Sequence, residues 1–355
     1  MSTRTDLDPE IERVVAAFRE QAVPEWHAMS IESARRVEDK AFAPGAPPSI
    51  DLVRDLAIGG PERRSPGVAG TPETAGSRVP IRIYRPDVDR PASVLLFFHG
   101  GGWVLGTLDS VDETCRHLAE GAGTIVVSVA YRRAPENPFP AAIDDAWCAL
   151  RWVGENAAAF GGDPARVSVG GTSAGANLAA ATALRARAFD GPDLTRQLLA
   201  YPITDYAFDT DSYEENADGP LLTRADMQWF WAQYLRSPVD GYNPFAAPLR
   251  APPALLDEVA PATVLTAGFD PLRDEGRAYA ERLEKAGTEV DHHHYPDLPH
   301  GFLSFTDEAG RADRAMRDTA RSLGSTGRFM GEISSAAVFV PSFPFGSRFR
   351  SPVTL

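Results

Sequence analysis

Cysteine is nearly missing from this chain: Cys115 and Cys148 are the two present in 355 residues. Each falls in a helical-looking segment, so both read as reduced, buried thiols rather than a disulfide. Positive charge is also short. Against 49 Asp and Glu there are 35 Lys and Arg, a formal charge of -14 and a pI near 5.0. That balance argues against nucleic acid or an anionic membrane surface as the partner. No stretch approaches about 18 apolar residues, so no transmembrane helix is expected. The opening MSTRTDLDPEIERVV carries charges where a secretory signal needs an apolar centre. No internal repeat is visible. These absences predict a cytoplasmic globular protein. The hydrophobic share, 43%, is ordinary for one.

What is present divides the chain by texture. Asp8 before Pro9 marks a helix start, and Ile11, Val14, Val15 and Phe18 follow at helical spacing. A second helix is predicted over Ile31–Phe42, then a Pro- and Gly-rich linker at Ala43–Ser49. Ile50–Leu56 reads as a first strand, and Gly59–Ser77 as a long loop. From Val79 onward strand-like segments alternate with helical patterns: Val79–Tyr84, which alternates apolar with polar, the short apolar runs Val94–Phe98 and Thr124–Val129, and Arg166–Gly170, Leu198–Pro202, Thr263–Gly268 and Glu289–Tyr295 as strands, with Ala141–Asn156 and Ala174–Ala188 as helices. This alternation predicts an α/β class, a mostly parallel sheet covered on both faces. Reactive groups in such sheets gather beyond the C-terminal strand ends. Asp205–Leu249 departs from the alternation. Thr223 and Asp226 there form a capping-box-like start, followed by a stripe of Met227, Phe230, Trp231, Tyr234 and Leu235. The stripe reads first as packing, and second as a lid lining a pocket; the two are compatible.

The chemistry concentrates at Gly171-Thr172-Ser173-Ala174-Gly175, a G-x-S-x-G pattern at a strand-to-helix junction. Such a turn is sharp enough to require glycines on both sides, and it thrusts the serine oxygen above the strand ends. A serine hydroxyl needs a base, and the base an orienting acid. Asp270 follows the Thr263–Gly268 strand and His300 follows the Glu289–Tyr295 strand, in the order Ser, Asp, His. An oxyanion needs N–H donors, and His99-Gly100-Gly101-Gly102 after the Val94–Phe98 strand supplies backbone free to turn inward. Gly101, Gly102 and Ala174 are the predicted donors.

Other polar residues read as structural. His99 is expected to bond backbone within its loop. His292, His293 and His294 sit on one strand, where neighbours face opposite sides and three in a row do not converge on one ion. Asp274 and Glu275 compete with Asp270 for the role of acid, but their places in the following helix suit capping or surface pairing. Asp144 and Asp145 stand at a helix start.

These motifs together resemble the hormone-sensitive-lipase-like family of bacterial esterases, of α/β-hydrolase fold. The likeness runs from Val79 to Leu323 through HGGGW at His99, YRRAPENPFPAAIDDA at Tyr131, GGDPARVSVGGTSAGANLA at Gly161, DPLRDEG at Asp270 and PHGF at Pro299. Thr172 stands where many relatives have Asp, the pattern of a GTSAG branch, and Ala176 where a further Gly is frequent. The resemblance implies an eight-stranded sheet with a helical cap. It divides the chain into an N-terminal cap part (1–49), a catalytic domain in two pieces (50–204 and 250–323), an inserted cap region (205–249) and a tail (324–355). It also implies a carboxylesterase for short or medium acyl chains, without cofactor, and a homodimer. An amidase or lactonase on the same three residues is the nearest alternative, and a non-catalytic receptor of the same fold the more distant one.

Overall fold

The computed structural model describes residues 5–42, 47–61 and 77–324. The expected tail 324–355 lies outside the described residues from Ser325 on, as do most of the Gly59–Ser77 loop and residues 43–46 of the linker. The strand-like segments become strands: β1 (Leu52–Gly59), β2 (Arg78–Arg85), β3 (Ala92–Phe98), β4 (Ile125–Val129), β5 (Gly162–Thr172), β6 (Arg196–Ala200), β7 (Ala262–Phe269) and β8 (Val290–Pro299). They form one eight-stranded sheet in the order β1-β2-β4-β3-β5-β6-β7-β8. β2 runs antiparallel to β1 and β4, and every other neighbouring pair is parallel.

The strand alternation sorts the core. Val94, Leu96 and Phe98 of β3 pack into one hydrophobic cluster, while Leu95 and Phe97 pack into another on the opposite face. The helices are α1 (Pro9–Glu20), α2 (Ile31–Ala41), α3 (Asp112–Ala122), α4 (Ala141–Asn156), α5 (Ala174–Ala188), α6 (Asp211–Glu215), α7 (Arg224–Tyr234), α8 (Pro253–Leu256), α9 (Arg273–Lys285) and α10 (Gly310–Gly324). Residues of α4, α5, α7 and α9 complete the first cluster, and residues of α1, α3 and α10 the second. Both faces are thus covered, as a parallel sheet requires.

Local signals set several boundaries. Asp8 accepts hydrogen bonds from the amides of Glu10 (2.9 Å) and Ile11 (3.2 Å), with Pro9 opening α1. Thr223 and Asp226 form a reciprocal capping box at the start of α7. Two strands differ from expectation. β1 lies slightly later than Ile50–Leu56, because its antiparallel register with β2, Leu52 opposite Arg85 to Gly59 opposite Arg78, sets its ends. β8 continues past Tyr295 to Pro299, across an irregularity opposite Ala267 and Phe269. A Cβ on Gly268 would lie 2.0 Å from the Pro296 carbonyl oxygen, so the glycine permits this close pairing.

Among the described residues no helix is long and apolar enough to cross a membrane. Both cysteines are free; Cys115 is buried in α3, whereas Cys148 of α4 is only partly buried, contrary to expectation. Its position on a helix that packs on the sheet with one side leaves it at the boundary of the buried stripe.

Candidate active site

The turn after β5 is built around two glycines with no room for a side chain. A Cβ on Gly175 would lie 1.9 Å from the Phe98 carbonyl oxygen, and one on Gly171 would lie 2.4 Å from the Gly175 carbonyl carbon. Between them Ser173 takes φ 55 and ψ -118, a conformation that L residues rarely adopt and that the surroundings must hold. The Ser173 amide donates to the Ala200 carbonyl of β6 at 2.9 Å, and its carbonyl accepts from the Asn177 amide at 3.0 Å. The side chain thereby stands at the N-terminus of α5, whose dipole favours negative charge there.

The irregular end of β8 delivers His300 to the same place. Its Nε2 lies 2.9 Å from Ser173 Oγ, and its Nδ1 lies 2.9 Å from Asp270 Oδ2. Asp270 is fully buried, and its other oxygen accepts from the Leu272 amide at 2.9 Å. A carboxylate oxygen beside Nδ1 accepts the ring N–H there and leaves Nε2 free to accept from the serine hydroxyl. Tyr201 closes the other side, its ring edge-on to His300 at 4.9 Å. The three residues singled out from three strand ends are therefore brought together.

Gly101 and Gly102 adopt φ +95 and +56, and Cβ atoms there would strike Leu105 and Phe230. Among the described residues no backbone acceptor pairs with their amides. Together with the first amide of α5, on Ala174, they are backbone donors next to the serine. The loop is braced from behind. His99 is buried, stacks on Tyr131 at 4.1 Å, and donates from Nδ1 to the Gly100 carbonyl at 2.8 Å. Burial pushes its pKa down to about 4, so it stays neutral. The Tyr131 hydroxyl donates to the His99 carbonyl at 2.9 Å. His99 is thus structural, as its loop position suggested.

A cavity of about 430 Å³ opens over Ser173 and His300, bounded by Gly100–Gly102 below and by residues of α1, α2, α7 and the 218–223 loop above. The stripe on α7 serves both roles read from it. Met227 and Phe230 line the cavity, while Trp231 and Tyr234 pack on Trp103, at 4.7 Å and 4.0 Å between ring centres.

The remaining carboxylates sort differently from expectation in one case. Asp274 pairs with Arg273 and accepts from the Ser212 amide at 2.8 Å. Glu275, however, is neither a cap nor a surface partner. It is buried, and its Oε1 accepts from the amides of Thr204 (2.6 Å) and Asp205 (3.2 Å). It belongs to the inner side of α9, and burial pushes its pKa up to about 8 despite those two donors. Asp144 and Asp145 hold Arg185 and Arg132 at 2.7 Å and 2.8 Å. On β8, His292 and His294 both reach the Thr266 hydroxyl while His293 pairs with Asp291. Among the described residues no group of three His, Cys, Asp or Glu side chains is placed to hold a metal.

Among the cavity residues that the sequence reading passes over, one carries a buried charge-bearing group. Glu38 of α2 is 6% exposed and lines the cavity. The signal was available: Ala34, Glu38 and Ala41 share one side of α2, so a carboxyl interrupts an apolar stripe.

Comparison with known proteins identifies the fold and the family. Residues 95–304, more than half of the chain, match a family model described as alpha/beta hydrolase fold. The chain is 41% identical over 305 residues to the carboxylesterase NlhH of Mycobacterium tuberculosis, covering 85% of this chain and 90% of that protein. It is 37% identical over 324 residues to an ethyl acetate hydrolase of Pseudomonas putida, covering 89% and 96%. The crystal structure of a thermostable esterase from Pseudomonas putida superposes with a TM-score of 0.83 at 33% identity, covering 91% of this chain and 98% of the other. With this fold, these strand ends and these relatives, the chain belongs to the α/β-hydrolase family, in its hormone-sensitive-lipase-like group of carboxylesterases.

Proposed function

We propose that this chain is a serine carboxylesterase that hydrolyses short- to medium-chain carboxylic esters through an acyl-enzyme. The observation that carries the reading is the unbroken relay from Asp270 through His300 to Ser173, with both links at 2.9 Å. In this mechanism Ser173 attacks the ester carbonyl while His300 Nε2 takes its proton. Asp270 holds the imidazole in the needed tautomer and stabilises the imidazolium. Negative charge developing on the carbonyl oxygen is met by the amides of Gly101, Gly102 and Ala174, already aimed before reaction. His300 then protonates the leaving alcohol, and the same histidine activates the water that frees the acid. The N-terminal helices and the 205–249 segment act as a cap that excludes bulk water and shapes the acyl site.

The test is hydrolysis of a short aryl ester by the wild type and by Ser173→Ala. The substitution should lower kcat by roughly ten-thousandfold or more, with an unchanged circular dichroism spectrum. Near-wild-type turnover by Ser173→Ala would overturn the assignment. The same reading extends to a soluble, cytoplasmic enzyme that acts without cofactor, and to a homodimer. Sedimentation equilibrium of the full chain tests the dimer.

A further inference from the structure

Two features of the cavity wall are not used by ester hydrolysis as such. The first is Glu38, which faces inward from α2 at 6% exposure and lines the cavity. Its Oε2 is buried and has no hydrogen-bond partner among the described residues. The second is the sign of the charge around it. Glu25, Asp218 and Asp226 also line the cavity, against Arg19 as a cation. Asp226 is already satisfied by the amides of His27 and Thr223 and by the His27 ring. Glu25 and Asp218 are exposed. Glu38 is thus the buried carboxyl of the cavity with an acceptor to spare.

We propose that Glu38 determines substrate specificity, by selecting esters that carry a protonated amine. The proposal rests on the esterase reading above and names a substrate class for that site. A buried carboxylate oxygen without a donor is costly, and the cost is relieved by a proton or by a ligand that brings an N–H. Without a ligand the proton serves: burial, aided by Asp39, pushes the Glu38 pKa up to about 7, against the Ser110 hydroxyl, the Gly106 amide and Arg133. An ammonium group replaces that proton with a charge-assisted hydrogen bond, stronger than its neutral equivalent. Oε2 is closed off from solvent in this conformation, so the carboxylate meets the ligand by turning its soft side-chain torsions toward the cavity. The surrounding carboxylates and the chain's charge of -14 favour the approach of a cation.

The experiment uses ester pairs of one shape that differ by N–H⁺ against C–H. Dimethylaminoethyl butanoate is paired with isoamyl butanoate for the alcohol side, and ethyl dimethylaminobutanoate with ethyl methylhexanoate for the acyl side. In the wild type at least one pair should favour the ammonium ester roughly tenfold in kcat/KM at about pH 8. The preference should grow as pH rises through about 7, where Glu38 ionises. Protonation steps of the enzyme common to both members of a pair cancel in the ratio. Glu38→Gln should bring the ratio to about one. Ratios near one for both wild-type pairs, or a preference unchanged in Glu38→Gln, would overturn the proposal. Calorimetric binding of the matching ethers, dimethylaminoethyl butyl ether against isoamyl butyl ether, reads the same preference without turnover. A loss of all hydrolysis with an intact ether preference would sink the esterase reading and leave Glu38's role standing.

Discussion

The floor of the cavity and its roof are made in different ways. The floor consists of strand ends and two loops whose backbone has almost no freedom: Gly171, Gly175, Gly101 and Gly102 each stand where a Cβ would collide. The roof consists of helices whose side chains fill space against one another, with Phe230 and Met227 on one side and Trp231 and Tyr234 on the other. Backbone geometry of the first kind admits few residue types, so it leaves a readable pattern. Packing of the second kind is satisfied by many apolar combinations. On the mechanism proposed above, the chemistry falls to the floor and the choice of substrate to the roof.

The sharpest way to break the floor is Gly175→Ala. Its new methyl would sit 1.9 Å from the Phe98 carbonyl oxygen and 2.5 Å from that of His99, both fixed backbone. The expected result is a fall in esterase kcat of at least about a hundredfold, as the serine and the opposing loop are forced apart. Thermal melting should drop with it. Gly59→Ala is the control, since nothing lies within 4 Å of a Cβ there. If both variants melt and turn over like the wild type, the close approach described at the elbow is not real.

The same contrast explains what could be read in advance. Ser173, Asp270 and His300 were legible because each follows a strand-like segment, and a parallel sheet brings such positions to one edge. The helix Ala141–Asn156 was legible to the residue, its apolar side repeating at helical spacing. Glu275 was not, because sequence spacing places it in a helix without saying which side of α9 meets the Thr204 loop. Glu38 was overlooked for a similar reason. A carboxylate is read as solvent-facing by default, even where, as between Ala34 and Ala41, it interrupts an apolar stripe, and the fold shows that α2 presents this one inward. The extension of β8 to Pro299 escaped notice because Pro296 and Pro299 argue against a strand, and an edge strand tolerates them.

Glu275 joins the two regions, since it anchors Thr204 and Asp205 where the sheet gives way to the 205–249 segment. Its folded pKa of about 8 stands above the ordinary 4.5. Between those values the folded state holds a proton that the unfolded chain has released. Its contribution to stability is therefore complete below about pH 4.5 and is lost as pH rises through about 8. Glu275→Gln keeps an acceptor oxygen for both amides and cannot ionise. Melting temperature should fall by a few degrees from pH 6 to pH 9 in the wild type, and by less in the variant. Superimposable curves of Tm against pH would remove Glu275 from the account.

The smallest expected change in rate divides the roof itself. Phe230 and Trp231 are neighbours on α7, both buried, at 3% and 0% exposure. Phe230 lines the cavity and lies against Gly102, while Trp231 meets Trp103 at 4.7 Å and Tyr206 at 5.3 Å, away from it. Trp231→Ala should cost about 3–5 kcal/mol of stability, the usual figure for losing a large buried ring. It should leave the ranking of acyl lengths unchanged in the fraction that stays folded. Phe230→Ala enlarges the space above the amides, so longer acyl chains should gain on short ones by roughly threefold to tenfold in kcat/KM. Its effect on the shortest ester should stay within about tenfold, since the amides and the relay are untouched. A panel of aryl esters of rising chain length, run beside a melting curve, separates the two outcomes. If both substitutions shift the ranking alike, the cavity face and the packing face of α7 are not distinct, and substrate choice belongs to the helix as a whole.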